Sequence, residues 1–363
     1  MGETPDDGTV LRPLDFSDLD GWDADDHAAA LAAFARGAAV LAEHPPKRRA
    51  LGLDASALIT IIRSAAGATS SEARGFFERN FTPHAVEPGS GRGFFTGYYE
   101  PVVRGALTKT GVCTVPLLRM PDDLVELGPG DRAAGLDPSF RFARRTAGGL
   151  GEYADRGAIQ AGALDGRGLE LCWLADPVDA FFIHIQGAAR ILLTDGRTLR
   201  VTYAAKTGHP YTPIGRVLIE RGALAPGTAT MQTIRAWLAA HPAEQADVFA
   251  ANRSYIFFRE APVAEADAAL GPIAAAKVPL TAGRSLAVDR TRHSFQAPVW
   301  IETALPDGAP FHRLMVAQDT GSAIVGPARG DIFFGSGDAA GEVAGRMKSE
   351  GRFILFLPRE QAR

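Results

Sequence analysis

The sequence predicts a mainly β protein with helices at its amino end. The first 80 residues carry helix-like patterns, whereas from Phe94 onward short β-prone runs alternate with Gly and Pro. The spacing of these runs favours barrels or a sandwich over a parallel sheet with regular crossover helices. A chain of 363 residues also exceeds the size at which one core usually stops growing, so two domains are expected.

Local sequence signals place the first helices. The stretch DDHAAALAAFARGAAVLAE begins with Asp25 and Asp26, which suit a helix start, and SSEARGFFERNF pairs a Ser with an early Glu in a capping arrangement. Two later helices are predicted at PIGRVLIERG, with Pro213 early in the helix, and at TMQTIRAWLAAH. The apolar face of the last helix is predicted to pack in a core.

The β-prone runs define the rest of the chain. They read GFFTGYYEP, FFIHIQG, RILLTDG, LRVTYAA, RSYIFFR, SLAVD, APVWIET, LMVAQD, DIFFG and RFILFLP. A loop-rich region around 120 to 170 differs in texture from the carboxyl-terminal strands. This difference predicts a domain boundary near residue 245.

Composition excludes several classes of function. Charged residues make up 22% of the chain and the net charge is -4, with no long run of one sign, so neither nucleic acid nor anionic lipid is an expected partner. No stretch approaches the ~20 apolar residues of a membrane span, and the opening MGETPDDGTV lacks a signal-peptide pattern. The pattern is typical of a soluble chain and leaves membrane attachment open.

Cysteine and histidine usage predicts no metal site and no cofactor. Cys113 and Cys172 are too few for a disulfide framework and lack metal-ligand spacing, so one disulfide and two buried thiols remain equal alternatives. The eight histidines form no HExxH motif or close pair. Glycine-rich phosphate loops and GxSxG elbows are also missing from the sequence.

The segment MVAQDTGSAIVG carries the leading catalytic candidate, Asp319, at the end of an apolar strand. Apolar neighbours raise the pKa of a carboxyl group and keep it protonated, as a general acid requires. The local pattern alone fits a plain turn better, in which the carboxylate bonds its own backbone. The DTG triplet also suggests an aspartic protease, but a second DTG or DSG does not occur, so a protease would need a homodimer.

Several motifs in order resemble the membrane-bound lytic murein transglycosylase A family. SLAVDRTRHSFQAPVWIET and HRLMVAQDTGSAIVGPARGDIFFG resemble its carboxyl-terminal three-aspartate module, and TGYYEP, FFIHIQG, YAAKTGHPYTPIGRVLIERG and NRSYIFFRE match upstream. The resemblance runs from about residue 90 to the end. Its three aspartates would be Asp289, Asp319 and Asp331.

The resemblance implies a double-psi β-barrel catalytic domain with a second β-rich domain inserted in it. The implied barrel comprises residues 91–104 and 246–363, the insert covers 105–245, and 1–90 form a helical lead-in. A groove between the domains would hold the glycan. The aspartate matching Asp319 is the family's catalytic acid.

The implied reaction is cleavage of the bond between N-acetylmuramic acid and N-acetylglucosamine, with formation of a 1,6-anhydro sugar. A single Asp319 would act as acid and then as base, without the second carboxylate that most glycosidases use. Asp289 and Asp331 are expected to order loops or orient Asp319. The residues expected to bind substrate are Thr96, Gly97, Tyr98, Tyr99, Gln186, Gly187, Lys206, Gln318 and Gly321.

The partners implied are peptidoglycan strands and other cell-wall enzymes, with the chain acting as a monomer in the periplasm or at the outer membrane of a Gram-negative bacterium. Two alternatives stay open: a glycoside hydrolase on the same barrel, and a glycan-binding protein without catalysis.

Overall fold

The chain divides into two units in the computed structural model, which describes residues 8–89, 91–128, 130–131, 136–137 and 140–359. The first unit combines the chain up to Tyr99 with the chain from Val263 onward, and the second is Glu100–Pro262. The second unit thus starts and ends at other residues than the predicted insert, 105–245. The strand before Pro262 is the physical reason, because it pairs within the second unit.

The secondary structure is mainly β with helices, as predicted. Strands β1 to β17 are, in chain order, Val10–Pro13, Phe81–Glu87, Gly93–Glu100, Val102–Ala106, Val115–Leu118, Leu124–Glu126, Phe142–Thr146, Gly149–Gly151, Glu170–Leu174, Ala188–Leu193, Thr198–Lys206, Ile256–Glu260, Ser285–Val288, Pro298–Ala304, Pro310–Asp319, Arg329–Ser336 and Lys348–Pro358.

Helices α1 to α9 are His27–Ala35, Ala55–Ala65, Ala73–Asn80, Arg156–Gln160, Pro177–Gln186, Ile214–Glu220, Met231–Ala240, Gln245–Ala250 and Asp338–Ala344. Short 3₁₀ turns occupy Phe16–Asp18, Trp22–Ala24, Arg36–Val40, Ser70–Glu72, Pro242–Glu244 and Glu265–Asp267.

Strand pairing in the first unit closes on itself. The sheet order is β1-β2-β17-β14-β15-β13-β16-β3, and β3 pairs again with β17, so β17, β14, β15, β13, β16 and β3 form a ring of six strands. Within this ring, β13 and β15 run parallel, while β14 pairs antiparallel with both β15 and β17. The ring brings the ends of β13, β15 and β16 side by side.

The amino-terminal helices share a core with these strands. The side chain of Asp26 accepts a hydrogen bond from Ala29 N at 3.0 Å and so starts α1, as the sequence predicts. Fully buried Phe34 on α1 packs edge-on against Phe81 of β2, with ring centroids 5.9 Å apart. Because burying a Phe side chain contributes about 1.5–3 kcal/mol, such contacts bind the helical segment to the sheet of the first unit.

A buried ion pair fastens the same segment to the ring. Both carboxylate oxygens of Asp25 accept from the guanidinium of Arg284, at 2.7 and 2.8 Å, and Asp25 also accepts from Leu314 N of β15 at 3.0 Å. Both side chains are more than nine-tenths buried. The helical lead-in is therefore part of the first unit's folded core.

The second unit holds two sheets. The larger has the order β12-β11-β10-β4-β9-β5, with β4 and β10 parallel, and the smaller joins β6, β7 and β8. Helices α6 and α7 fall where the sequence predicts them, and the apolar face of α7 packs with α5, α6 and α8 in a core that includes Leu218, Leu238 and Phe249.

The prediction of a strand at FFIHIQG is wrong, because these residues form most of α5. Asp176 caps this helix by accepting from Val178 N at 2.8 Å, and Pro177 occupies the first turn. Gly187 ends it in a left-handed conformation, with φ of 79°. The aromatic and β-branched run outweighed these terminal signals in the prediction, whereas burial against α7 stabilises the helix.

Candidate active site

Asp319 is the last residue of β15 and lies across one strand from Asp331. In the strand register, Ala287 of β13 pairs with Asp319 on one side and with Asp331 of β16 on the other. Directly paired residues share a face of the sheet, and two strand spacings put their Cα atoms about 10 Å apart. Two aspartates of the predicted trio therefore share one face, with only a methyl side chain between them.

A bulge aims Asp319 at this face. The register passes from Leu286–Ala317 to Ala287–Asp319, so Gln318 is an extra residue on β15. Bulges of this kind redirect side chains and are frequent next to active sites. The bulge separates the surroundings of Gln318 from those of its neighbour Asp319.

The carboxyl group of Asp319 is held from several sides. Tyr98 Oη donates to its Oδ2 at 3.0 Å, and Ala275 N donates to its Oδ1 at 3.2 Å. Burial raises the pKa of Asp319 to about 6, and the charge of Asp331 acts in the same direction, while the bonds from Thr320 N, Ala275 N and Tyr98 oppose it. A carboxyl group with this pKa gives and takes a proton near neutral pH.

Asp331 is bonded to Thr96, which is in turn bonded to Arg329. Thr96 Oγ1 donates to Asp331 Oδ1, and Arg329 Nη2 donates to the same Thr96 oxygen at 2.7 Å. Burial raises the pKa of Asp331, whereas Arg329 and Thr96 act against that rise. Thr96, predicted to bind substrate, thus contacts an aspartate and an arginine here.

Asp289 anchors the loop that follows Asp319. Its Oδ1 accepts from the amide and hydroxyl of Thr291 at 2.9 and 2.6 Å, and its Oδ2 accepts from Gly326 N at 2.9 Å. Burial opposes ionisation, yet these bonds hold the pKa of Asp289 below its ordinary value. Thr320 Oγ1 adds a bond to Val288 O at 2.8 Å. Asp289 therefore stabilises the loop between Asp319 and Gly326 through its hydrogen bonds.

The TGYYEP motif faces inward more than expected. The Tyr98 ring lies 5.3 Å from that of Phe333, and its hydroxyl is engaged by Asp319. Tyr99 is buried against Gly341 of α9, where an added Cβ would meet the tyrosine ring at 3.0 Å. An added Cβ at Gly97 would stand 2.6 Å from the Phe334 ring, so packing requires this glycine.

The placement of Gln318 does not fit the expected contact with glycan. The residue is fully buried, and its Nε2 donates to Ala33 O of α1 at 2.9 Å and to Gln296 Oε1 at 3.2 Å. Ser285 Oγ donates to its Oε1 at 2.6 Å. Its amide is therefore occupied in the interior, because the bulge turns it away from Asp319. Gly321 lies in the exposed turn after Asp319.

The remaining predicted residues lie in the second unit. Gln186 is the last residue of α5, and Gly187 follows it with the positive φ that a glycine adopts readily. Gly187 O also accepts from Tyr203 N at 2.7 Å. Lys206 ends β11 in register with Ile256 of β12. The structure thus gives Gly187 a conformational role.

Sequence reasoning missed Arg329, Ala275 and Ala287. Arg329 stands two residues before Asp331, and a strand places such residues on one face, so this signal was present in the sequence. The amide of Ala275 left no signal, because any residue type supplies a backbone donor. The place of Ala287 between the two aspartates depends on the register of β13, β15 and β16.

Three structural findings bear on the other expectations. Cys113 and Cys172 are buried and unbridged, and burial raises the pKa of Cys172 to about 12. Within the described ranges, no three His, Cys, Asp or Glu side chains cluster so as to bind a metal ion. None of the helices formed by the described residues has the length and apolar character to span a bilayer.

Two family models and a solved structure are similar to this chain. Residues 94–259 match the model of the MltA specific insert domain, and residues 284–357 match that of the 3D domain. The crystal structure of a membrane-bound lytic murein transglycosylase from Agrobacterium tumefaciens is 46% identical, with a TM-score of 0.89 over 97% of this chain and 99% of that one. The chain belongs to the membrane-bound lytic murein transglycosylase A family.

Two relatives from Escherichia coli extend the comparison. Membrane-bound lytic murein transglycosylase A of strain K12 is 33% identical over 71% of this chain, and the match spans 64% of that protein, which is less than two thirds. The structure of E. coli MltA with bound chitohexaose is 27% identical, with a TM-score of 0.65 over 98% of this chain and 93% of that one.

Proposed function

We propose that this chain is a peptidoglycan lytic transglycosylase that uses Asp319 as its single catalytic acid and base. The observation that carries the proposal is the setting of Asp319: a partly buried carboxyl group at a strand end, fixed by Tyr98 and Ala275 N, with its pKa raised to about 6 mainly by burial. Membership in the family supports the same residue and the same reaction.

The reaction needs two proton transfers, the first from Asp319 and the second to it. Protonated Asp319 gives its proton to the oxygen that links C1 of N-acetylmuramic acid to N-acetylglucosamine, and the C1–O bond breaks. The Asp319 carboxylate then takes the proton of the muramic C6 hydroxyl as O6 bonds to C1. The product is a 1,6-anhydro sugar, Asp319 is protonated again, and no water is consumed. An intramolecular hydroxyl gains from proximity, so a second carboxylate is not required.

Asp331 and Asp289 support this chemistry without touching the sugar. Asp331 adds negative charge beside Asp319, and Asp289 fixes the loop that carries Gly326. Tyr98 orients the acid through its hydroxyl. These roles agree with the contacts that occupy both supporting carboxylates.

One observation favours a second candidate, a glycoside hydrolase. Asp319 and Asp331 share a face of the sheet, and an inverting hydrolase uses two carboxyl groups that flank the substrate with room for a water molecule. Because Thr96 already binds Asp331, we assign Asp331 to support.

The substrate class is a further part of the proposal. We propose that the chain binds β-1,4-linked N-acetylated glycans, which the chitohexaose bound to E. coli MltA supports. Gln186, Lys206 and Gly321 remain proposed glycan contacts. We propose further that the ring of six strands is a double-psi β-barrel.

The cellular setting is also a proposal. The names of the relatives support a membrane-associated enzyme of the Gram-negative envelope, at the outer membrane or in the periplasm. We propose that the chain acts there as a monomer on peptidoglycan strands, beside other cell-wall enzymes.

Product analysis tests the proposal. Purified peptidoglycan is digested with the protein and the fragments are identified by mass spectrometry. Anhydro ends support the transglycosylase, reducing ends support the hydrolase, and the absence of released fragments supports a binding protein. Asp319→Asn should abolish lysis and keep glycan binding measurable; full lysis by this variant would refute the assignment. Pepstatin-sensitive proteolysis would instead favour the aspartic protease suggested by the DTG triplet.

A further inference from the structure

A chain of hydrogen bonds reaches Asp331 and takes no part in the proposed catalytic steps. Arg329 Nη2 donates to Thr96 Oγ1 at 2.7 Å, and Thr96 Oγ1 donates to Asp331 Oδ1. A guanidinium group has donors and no acceptor, so the threonine oxygen must accept from Arg329. The threonine hydrogen is then directed at Asp331, and the polarity of the chain is fixed.

The arginine that starts this chain is itself held in place. Arg329 Nη1 donates to Gly330 O, with a longer contact of 3.4 Å to Phe94 O. Its guanidinium carbon also lies 5.1 Å from the centre of the Phe94 ring. Backbone carbonyls and an aromatic face thus hold one side of the guanidinium, and the other side serves Thr96.

We propose that Arg329 and Thr96 are positioning residues that keep Asp331 ionised, so that its negative charge retains the proton on Asp319 until substrate binds. The proposal rests on the proposed function of Asp319 and deepens it. A donated hydrogen bond and a nearby cation both favour the charged form of a carboxyl group. A like charge beside Asp319 favours its neutral form, which is the form that can act as an acid.

The groups around the two carboxylates agree with this arrangement. Among the described residues, β3 contributes Thr96 and Tyr98, β16 contributes Arg329, and β13 contributes only Ala287 between the two aspartates. Strand β17 pairs Lys348, which is exposed, with Thr96. The loop before β13 contributes the amide of Ala275 to Asp319.

The directions of the pKa shifts support the geometry. Burial raises the pKa of Asp331 above its ordinary value, and Arg329 and Thr96 limit that rise. Burial is the largest cause of the raised pKa of Asp319, and Asp331 adds to it. Arg329 and Thr96 thus act on Asp331, and the charge of Asp331 acts on Asp319.

The test is the pH profile of kcat/KM for release of anhydro fragments. Thr96→Val keeps the shape of the side chain and removes the donor. Asp331 then holds a proton to higher pH, so the midpoint of the alkaline limb, set by Asp319, moves down by about half a pH unit to one unit. At the wild-type midpoint this lowers kcat/KM about two- to fivefold. Thr96→Ser retains the hydroxyl and should restore the wild-type midpoint.

Asp331→Asn provides an independent second variant. Its midpoint should also move down, and adding Thr96→Val to it should cause no further shift, because both changes act through the same charge. Thr303→Val is the matched control: Thr303 Oγ1 donates to Glu350 O in the same unit, so this variant loses a comparable bond and should keep the wild-type midpoint.

The outcomes separate this proposal from the proposed function. If the wild-type enzyme is active and the midpoint of Thr96→Val is unchanged or raised, the proposed role of Arg329 and Thr96 is refuted and the proposed function is not affected. Wild-type protein without anhydro products at any pH would overturn the function. If the wild type is inactive, a ¹³C NMR titration of the Asp319 carboxyl group in the wild type and in Thr96→Val still tests the role of Arg329 and Thr96. It measures the midpoint of the Asp319 titration without turnover.

Discussion

Removal of the Tyr98 hydroxyl should raise the pKa of Asp319 by about one unit. Tyr98 Oη donates to Asp319 Oδ2 at 3.0 Å, the long end of the range for such bonds. A hydrogen bond to a charged group contributes about 1.5–3 kcal/mol, and a long one lies near the lower value. Since one pKa unit corresponds to about 1.4 kcal/mol, Tyr98→Phe should move the pKa of Asp319 from about 6 to roughly 7.

The sign follows from the charged form. Tyr98 stabilises the carboxylate, so its loss favours the protonated acid, and the alkaline limb of kcat/KM should move up by about one pH unit. Phe keeps the ring that packs 5.3 Å from Phe333. The shift is opposite to that expected for Thr96→Val, although both variants lose one hydroxyl.

The assay is lysis of peptidoglycan measured from pH 4 to 9, together with thermal unfolding of each variant. Tyr153→Phe is the matched control, because Tyr153 Oη donates to the carboxylate of Asp123 at 2.9 Å in the second unit. Its midpoint should match that of the wild type. A midpoint for Tyr98→Phe that stays in place or moves down would refute the reasoning about Tyr98.

Three further predictions concern stability. Because the pKa of Asp319 is raised to about 6 in the folded state, its ionisation destabilises the fold as pH rises from about 4 through 6. The free energy of unfolding of Asp319→Asn, measured with denaturant, should therefore exceed that of the wild type by up to about 3 kcal/mol at pH 7.5 and equal it at pH 3. Asp25→Ala leaves Arg284 buried without its carboxylate and should lose about 3–5 kcal/mol. Gly97→Ala should lower Tm by several degrees, because its Cβ would stand 2.6 Å from the Phe334 ring.

Each stability prediction has an outcome that contradicts it. An equal gain for Asp319→Asn at both pH values would show that the charge of Asp319 is not the cause. The exposed pair Arg12–Glu87 is the control for Asp25, since Glu87→Gln should cost under about 1 kcal/mol; equal losses would argue against burial as the reason. Unchanged Tm with weaker glycan binding in Gly97→Ala would favour the substrate contact predicted from the sequence.

Much of the fold was predictable because its determinants are local. The cap at Asp26 and most strand runs depend on neighbouring residues, and the structure places them as expected. Helix α5 was missed because its apolar residues are also good strand formers, and only its packing decides between the two. The limits of the second unit depend on which strands β4 and β12 pair with, which local patterns do not specify.

The position of Asp319 at a strand end was predictable, and the contacts around it were less so. Asp319 carries a recognisable motif, whereas the burial of Gln318 results from a bulge that appears only when β13 pairs with β15. The hydrogen bond from Arg329 to Thr96 joins residues 233 positions apart. Such contacts arise from strand order, so spacing along the chain did not reveal them.

The closed ring of strands has a consequence for the order of folding. Its closing strand, β17, leaves the ribosome after the other strands of the ring, and its partners β2 and β3 emerge far earlier. The second unit can fold in the meantime, which shortens the flexible loop that must close and lowers its entropic cost. The face that carries Asp319 and Asp331 is then completed only when β17 has emerged. A chain cut short before residue 348 would retain the second unit and lack a closed ring, so the surroundings of Asp319 would be assembled after the second unit.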